Sequence, residues 1–166
     1  MRTIIVTSAI LFLAITLLPI TASAQTPAQA MNLFSSSSDV AKLIEQAKSE
    51  HTNQPLIGKP ILQLAPYRAS MEYRASVGPA AVHEKEAEFF YVIDGSATMM
   101  TGGKLVNEKR TNAENLGGTA IEGGSSRAVA KGDFIVVPEN TPHWFSQING
   151  TLVLMSLHVP RTGTAH

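Results

Sequence analysis

The sequence contains no cysteine. That excludes a disulfide, a thiolate metal site and a thiol nucleophile. Any chemistry must come from histidine, carboxylates, lysine, tyrosine or a bound metal. An excess of charge of one sign is missing too, since 13 basic residues balance 13 acidic ones. Nucleic acids and anionic membranes attract a surplus of Lys and Arg, so neither partner is expected. With 44% apolar residues, the chain has too much to bury for a disordered protein. Its 166 residues suit one core and would cramp two.

Long hydrophobic runs are scarce, with one exception at the start. Met1-Arg2 supplies a positive charge, Thr3 to Ile20 is strongly apolar, and Ala22-Ser23-Ala24 is a small-x-small cleavage pattern. Residues 1–24 therefore read as a secretory signal peptide. The stretch is nearly long enough to span a bilayer, but Pro19 and the small residues after it favour cleavage. Without a cysteine there is no lipoprotein anchor. The mature chain would begin at Gln25 in the periplasm or outside the cell, free of the membrane. Its net charge would be −1, because Arg2 is the one charged residue removed.

Residues 25–38 form a polar lead ending in Ser35-Ser36-Ser37-Ser38, read as a flexible linker. Within 39–50, Val40, Leu43, Ile44 and Ala47 fall on one face of an amphipathic helix. Ser37 or Ser38 can cap it, with Asp39 in its first turn and Lys48 in its last. Beyond Pro60, short apolar runs alternate with turn signals such as Asp94-Gly95, Lys131-Gly132-Asp133, Asn140-Thr141-Pro142 and Asn149-Gly150. Strands are expected near 61–65, 67–75, 88–93, 97–101, 119–122, 127–130, 134–137, 143–147 and 151–159. Many short strands without long helices between them mean an all-β sandwich or barrel. The polar stretch 107–115 reads as an exposed loop, Gly102-Gly103 and Gly117-Gly118 as hairpin glycines, and 161–166 as a C-terminal tail.

Two segments stand out. One is Ala81-Val82-His83-Glu84-Lys85-Glu86-Ala87-Glu88, continuing to Gly95 with six residues between Glu88 and the glycine. The other runs from Gly132 through Pro138 and Asn140 to His143. Together they resemble the two motifs of the cupin superfamily. The first motif reads roughly His-x-His, three or four residues, Glu, six residues, Gly. The second reads Gly, five residues, Pro-x-Gly, two residues, His, three residues, Asn. With four residues before Glu88, His83 takes the second-histidine place and Ala81 the first. Reading His83 as the first histidine would put Lys85 in second place and leave too short a gap. Asn140 stands for the motif glycine, which suits a left-handed backbone, and Gln147 stands for the final Asn.

The resemblance implies an all-β, jelly-roll (cupin-type) β-barrel over residues 56–160 with one short N-terminal α-helix. It implies His83, Glu88 and His143 as metal ligands, two imidazoles and a carboxylate that suit Fe(II), Mn(II), Zn(II), Co(II) or Ni(II). Such a barrel would bind a small organic molecule, as a metal-dependent enzyme of oxygenase, isomerase or lyase type. The alternative is a non-catalytic small-ligand-binding barrel without metal. A homodimer or larger assembly is expected, because open jelly rolls have edge strands that need cover. His158 lies in a run apolar on both faces and reads as a satisfied barrel histidine. His51 and His166 read as solvated, and Glu84, Lys85 and Glu86 as a solvated turn. Of Arg68, Tyr73 and Arg74, one or two are expected to face the pocket. Of Trp144 and Phe145, one is expected inside.

The leader makes a direct prediction. Intact-mass spectrometry of exported protein should find a chain starting at Gln25; a full-length species held in the membrane would contradict it.

Overall fold

The computed structural model describes residues 32–161. The expected signal peptide, the first part of the polar lead and the tail beyond Arg161 lie outside the described residues. Helix α1 spans Ser37–Glu50. The expected linker is thus helical over its last two residues. The cap is Ser36, not Ser37 or Ser38: its hydroxyl accepts from the Asp39 N–H while the Asp39 carboxylate accepts from the Ser36 N–H. This reciprocal box stabilises the helix start by about 1 kcal/mol. The apolar stripe buries Ala47 and packs Val40, Leu43 and Ile44 against Ile61, Met71, Tyr73 and Val153.

The strands follow as β1 Leu56–Leu64, β2 Tyr67–Arg74, β3 Ala80–His83, β4 Glu86–Thr101, β5 Lys104–Val106 and β6 Lys109–Asn112. Then come β7 Asn115–Gly118, β8 Ala120–Glu122, β9 Ser125–Ala130, β10 Phe134–Val137 and β11 His143–Pro160. Two departures from the sequence expectation concern length. The runs 88–93 and 97–101 belong to one strand, β4, and 143–147 and 151–159 belong to β11. The stretch 107–115 is not a loop throughout, because β6 occupies Lys109–Asn112 with every residue exposed. Gly117 and Gly118 are not hairpin glycines but lie inside β7, paired to Ala81 and Ala80.

Strands β4 and β11 pair antiparallel along their whole length, from His143↔Thr101 at one end to Pro160↔Glu86 at the other, with His158↔Glu88 two pairs before that end. Thr101 lies 13 residues from Glu88, which in a straight strand would be about 43 Å. Yet His143 Nε2 sits 3.0 Å from a Glu88 carboxylate oxygen. The ribbon is therefore doubled over, and its two ends meet. The bend falls at register shifts in β11 between Ile148 and Leu152 and between Val153 and Leu154. Gly95 stands opposite Leu152 there with φ of +85°, and a Cβ on it would overlap the Thr151 carbonyl oxygen. Only glycine fits that backbone and that approach.

The doubled ribbon makes both walls of a jelly-roll barrel. One wall runs β1-β2-β11-β4-β10; the other joins β9 to the far half of β4 and continues β11-β3-β7-β6. β5 and β8 form a separate two-stranded piece. Alternation sends Phe90, Val92, Ala97, Met99, Phe145, Leu152 and Leu154 into the interior with Val129 and Val137. Residues out of phase, such as Val153 and Met155, face α1 instead. The helix covers only part of this outer face, and Phe134 and Val136 on β10 stay exposed.

If the bend at Gly95 holds the barrel closed, Gly95→Ala should destabilise it by about 2–4 kcal/mol, from backbone strain plus the clash. Denaturant unfolding measures this, and a change below about 1 kcal/mol would show that the bend tolerates a side chain.

Candidate metal centre

Glu88 projects inward from β4 and is almost fully buried. Three imidazoles converge on its carboxylate. His83, at the end of β3, places Nε2 3.2 Å from Oε2. His143, at the start of β11, places Nε2 3.0 Å from the same oxygen. His158, near the end of β11, places Nε2 3.3 Å from Oε1. The Ser156 hydroxyl donates to Oε1 at 2.5 Å. His83, Glu88 and His158 offer donor atoms that all lie within 4.8 Å of one another. The structure thus brings together His83, Glu88 and His143, named from the sequence. It adds His158, which reads in the sequence as barrel filling.

Each imidazole is also held from behind. His83 Nδ1 faces Asn115 Oδ1 at 2.8 Å, His143 Nδ1 the Thr141 carbonyl at 3.1 Å, and His158 Nδ1 the Glu86 carboxylate at 3.0 Å. These partners are all acceptors, and each fixes its ring at Nδ1. Each Nε2 is thereby turned toward Glu88. Outer hydrogen bonds of this kind orient imidazole ligands at metal centres. Glu86 is itself gripped by Arg68, whose two terminal nitrogens donate at 3.2 and 2.9 Å. The expectation of a solvated turn therefore fails at Glu86, though Lys85 is exposed and pairs with Glu114.

The family model described as Cupin matches residues 59–165. The chain belongs to the cupin family. Comparison with curated proteins finds no match. Among solved structures, the Fe(II) form of HppE resembles this cupin at a TM-score of 0.50 and 15% identity, over 66% of this chain and 53% of that one. KdgF from Halomonas sp. follows at 0.49 and 17%, over 68% and 87%. The Cnp3 cupin domain of Schizosaccharomyces pombe stands at 0.48 and 11%, over 69% and 71%. At these identities the likeness is one of fold.

As a cupin, the chain departs from the pattern at Ala81. That residue pairs with His143 across β3 and β11 and offers no lone pair. A third imidazole reaches the carboxylate instead from His158, the direct cross-strand partner of Glu88. The other expectations drawn from the motifs and their flanks resolve by face. Arg68 and Arg74 pair with His158 and Leu152 and share their inward face, whereas Tyr73 packs toward α1. Arg74 pairs with Glu72 at 2.7 Å and lies over the Phe145 ring. Phe145 is buried, while Trp144 donates its indole N–H to the Gly78 carbonyl. Asn140 has φ of +56°, in keeping with its place at the motif glycine. His51 ends α1 and contacts the Gln54 carbonyl, and His166 lies outside the described residues.

The electrostatics follow from burial and these bonds. Burial alone would raise the Glu88 carboxyl, but hydrogen bonds from His143, His158 and His83 outweigh it and hold the group far below the usual carboxylate range. Burial alone would lower His83, but its bonds to Glu88 and Asn115 prevail and raise it. A neutral Nε2 lone pair aimed at a carboxylate is repelled. A divalent ion among His83, Glu88 and His158 would meet a donor atom from each. Two imidazole nitrogens and one carboxylate suit a divalent first-row metal, so the group His83, Glu88 and His158 fits one, while His143 lies outside that group and turns its Nε2 to the Glu88 carboxylate.

The raised His83 has a stability consequence in metal-free protein. Its contribution is full below the ordinary histidine value of about 6.5 and is lost as pH rises through the higher folded value. Glu88 stays ionised across that window and adds no step. With a chelator present, unfolding midpoints should fall from about pH 6 to about pH 8.5, and Glu88→Gln should flatten the slope. An unchanged slope in that variant would show that the Glu88 bond does not set it.

Proposed function

We propose that this cupin is an exported protein that binds a divalent metal through His83, Glu88, His143 and His158 and acts on a small organic molecule beside it. The observation that carries this reading is the orientation of the three imidazoles. Each is pinned at Nδ1 by a fixed acceptor, and each presents Nε2 to one buried carboxylate. A cluster built merely to satisfy Glu88 would need one or two such donors, not three aligned alike. The leader supports a periplasmic or extracellular setting. The bound ion would supply Lewis acidity or a site for O₂; Fe(II), Mn(II), Zn(II), Co(II) and Ni(II) all tolerate this donor set. Around it the chain's own residues orient and exclude water. Phe90 packs beside His143 and Phe145 on the interior side, and Ser156 holds one oxygen of Glu88.

The metal-free alternative also has support, because among the described residues no buried side-chain nitrogen or oxygen lacks a partner. Metal content separates the two readings. Protein purified from its native compartment should carry close to one equivalent of a first-row ion. An ion at about 100 times its dissociation constant should stabilise the fold by about 2.7 kcal/mol. His143→Ala and His158→Ala should each remove most of that gain. Melting unaffected by all five ions, with both variants behaving as the parent does, would leave the metal-free ligand-binding barrel in place.

A further inference from the structure

His83 borders a second space. A cavity of about 750 Å³ opens between β3, β6 and β7, and Ala81, His83, Lys109, Thr111, Asn115 and Gly117 are part of its lining. Three lining residues, Lys109, Gly117 and Ala81, belong to one cross-strand row that continues beyond the lining to His143. Lys109 pairs with Gly117, Gly117 with Ala81, and Ala81 with His143. Directly opposed residues of antiparallel strands share a face, so these four form one row across four strands. The two middle members bear no side chain longer than a methyl. Three strand spacings put the Lys109 and His143 backbones about 14 Å apart. A lysine side chain at one end of the row and an imidazole at the other leave a span of a few carbon–carbon bonds.

The charge along this row is one-sided. Among the described residues no Asp or Glu lines the cavity. Neighbouring cations are neutralised, Arg110 by Glu84 and Lys85 by Glu114, but Lys109 has no ion-pair partner among the described residues. A divalent ion balanced only by Glu88 would leave the far end positive as well. We propose that this cavity binds a short organic carboxylate, with the carboxylate on Lys109 and the other polar end at the centre built from His83, Glu88, His143 and His158. The proposal rests on the metal reading for one end of the ligand and on Lys109 for the other. Ala81 is the residue that makes the row passable, since an imidazole at that position would stand between the two ends. The departure from the family pattern therefore has a use: it opens a lane for the ligand, while His158 supplies the donor from elsewhere.

The test separates the two ends. Protein is loaded with Co(II) and its metal content measured. Succinate, malate, glutarate and the uncharged 1,4-butanediol are then titrated by calorimetry. At least one dicarboxylate should bind and the diol should not. Lys109→Glu should weaken that binding by about tenfold or more with Co(II) content unchanged, and Lys109→Arg should largely restore it. Lys109 is exposed on an edge strand, so neither change threatens the fold. Co(II) absent from the parent would overturn the metal reading, and this proposal with it. Co(II) retained with no dicarboxylate bound, or with equal affinity in Lys109→Glu and the parent, would overturn this proposal alone.

Discussion

A single buried carboxylate organises the interior. Glu88 has two oxygens, and three imidazoles and a hydroxyl share them. A charge that deep is tolerable only when paired and hydrogen-bonded. Its partners come from the end of β3 and from both ends of β11, so the chain must bring three distant places together to satisfy it. The doubled β4/β11 ribbon is the solution. Pairing along β4 carries His158 to Glu88 directly, and the bend at Gly95 carries His143 back to the same point. The apolar side chains between those ends fill the barrel, and α1 covers part of the outer wall.

Much of this is legible in the sequence. Alternation marks Glu88, Phe90 and Val92 as one face, and the apolar run 134–137 coincides with β10. The motif spacing singles out His83, Glu88 and His143, which the fold does bring together. What the sequence hides, it hides for physical reasons. Asp94-Gly95 and Asn149-Gly150 are turn signals, and taken locally they end strands. Whether such a signal ends a strand or bends it depends on the register of the partner, which a local reading does not contain. His158 is hidden because α1 covers the outer face of β11. Val153 and Met155 are therefore apolar like the inward residues beside them, and the alternation that would expose an inward histidine is erased. Glu86 is hidden by its company. Glu84 pairs with Arg110 and Lys85 with Glu114 at the surface, and the strand that turns Glu86 toward Arg68 and His158 begins at Glu86 itself. The β6 segment is polar on both sides because both sides are wet, which leaves no periodic signal at all.

Family membership and site chemistry rest on different residues. Gly95, Gly132 and Pro138 report the turns that make the barrel, and none of them is part of the histidine cluster. The histidines around Glu88 do not follow the motif in the same way, since position 81 offers no imidazole and His158 brings one from directly across the ladder.

The meeting of the ribbon's ends at Glu88 also bears on how long the chain would survive proteases. An ion held there would tie residue 83 to residues 143 and 158, a link across most of the barrel's length in a chain that has no disulfide. Cross-links spanning long stretches of chain restrict opening, and this one could be withdrawn. Loss of the ion would free both ends of the ribbon together. Proteases that attack transiently opened chains would then find the depleted form before the loaded one. Metal supply would then set the lifetime of this protein.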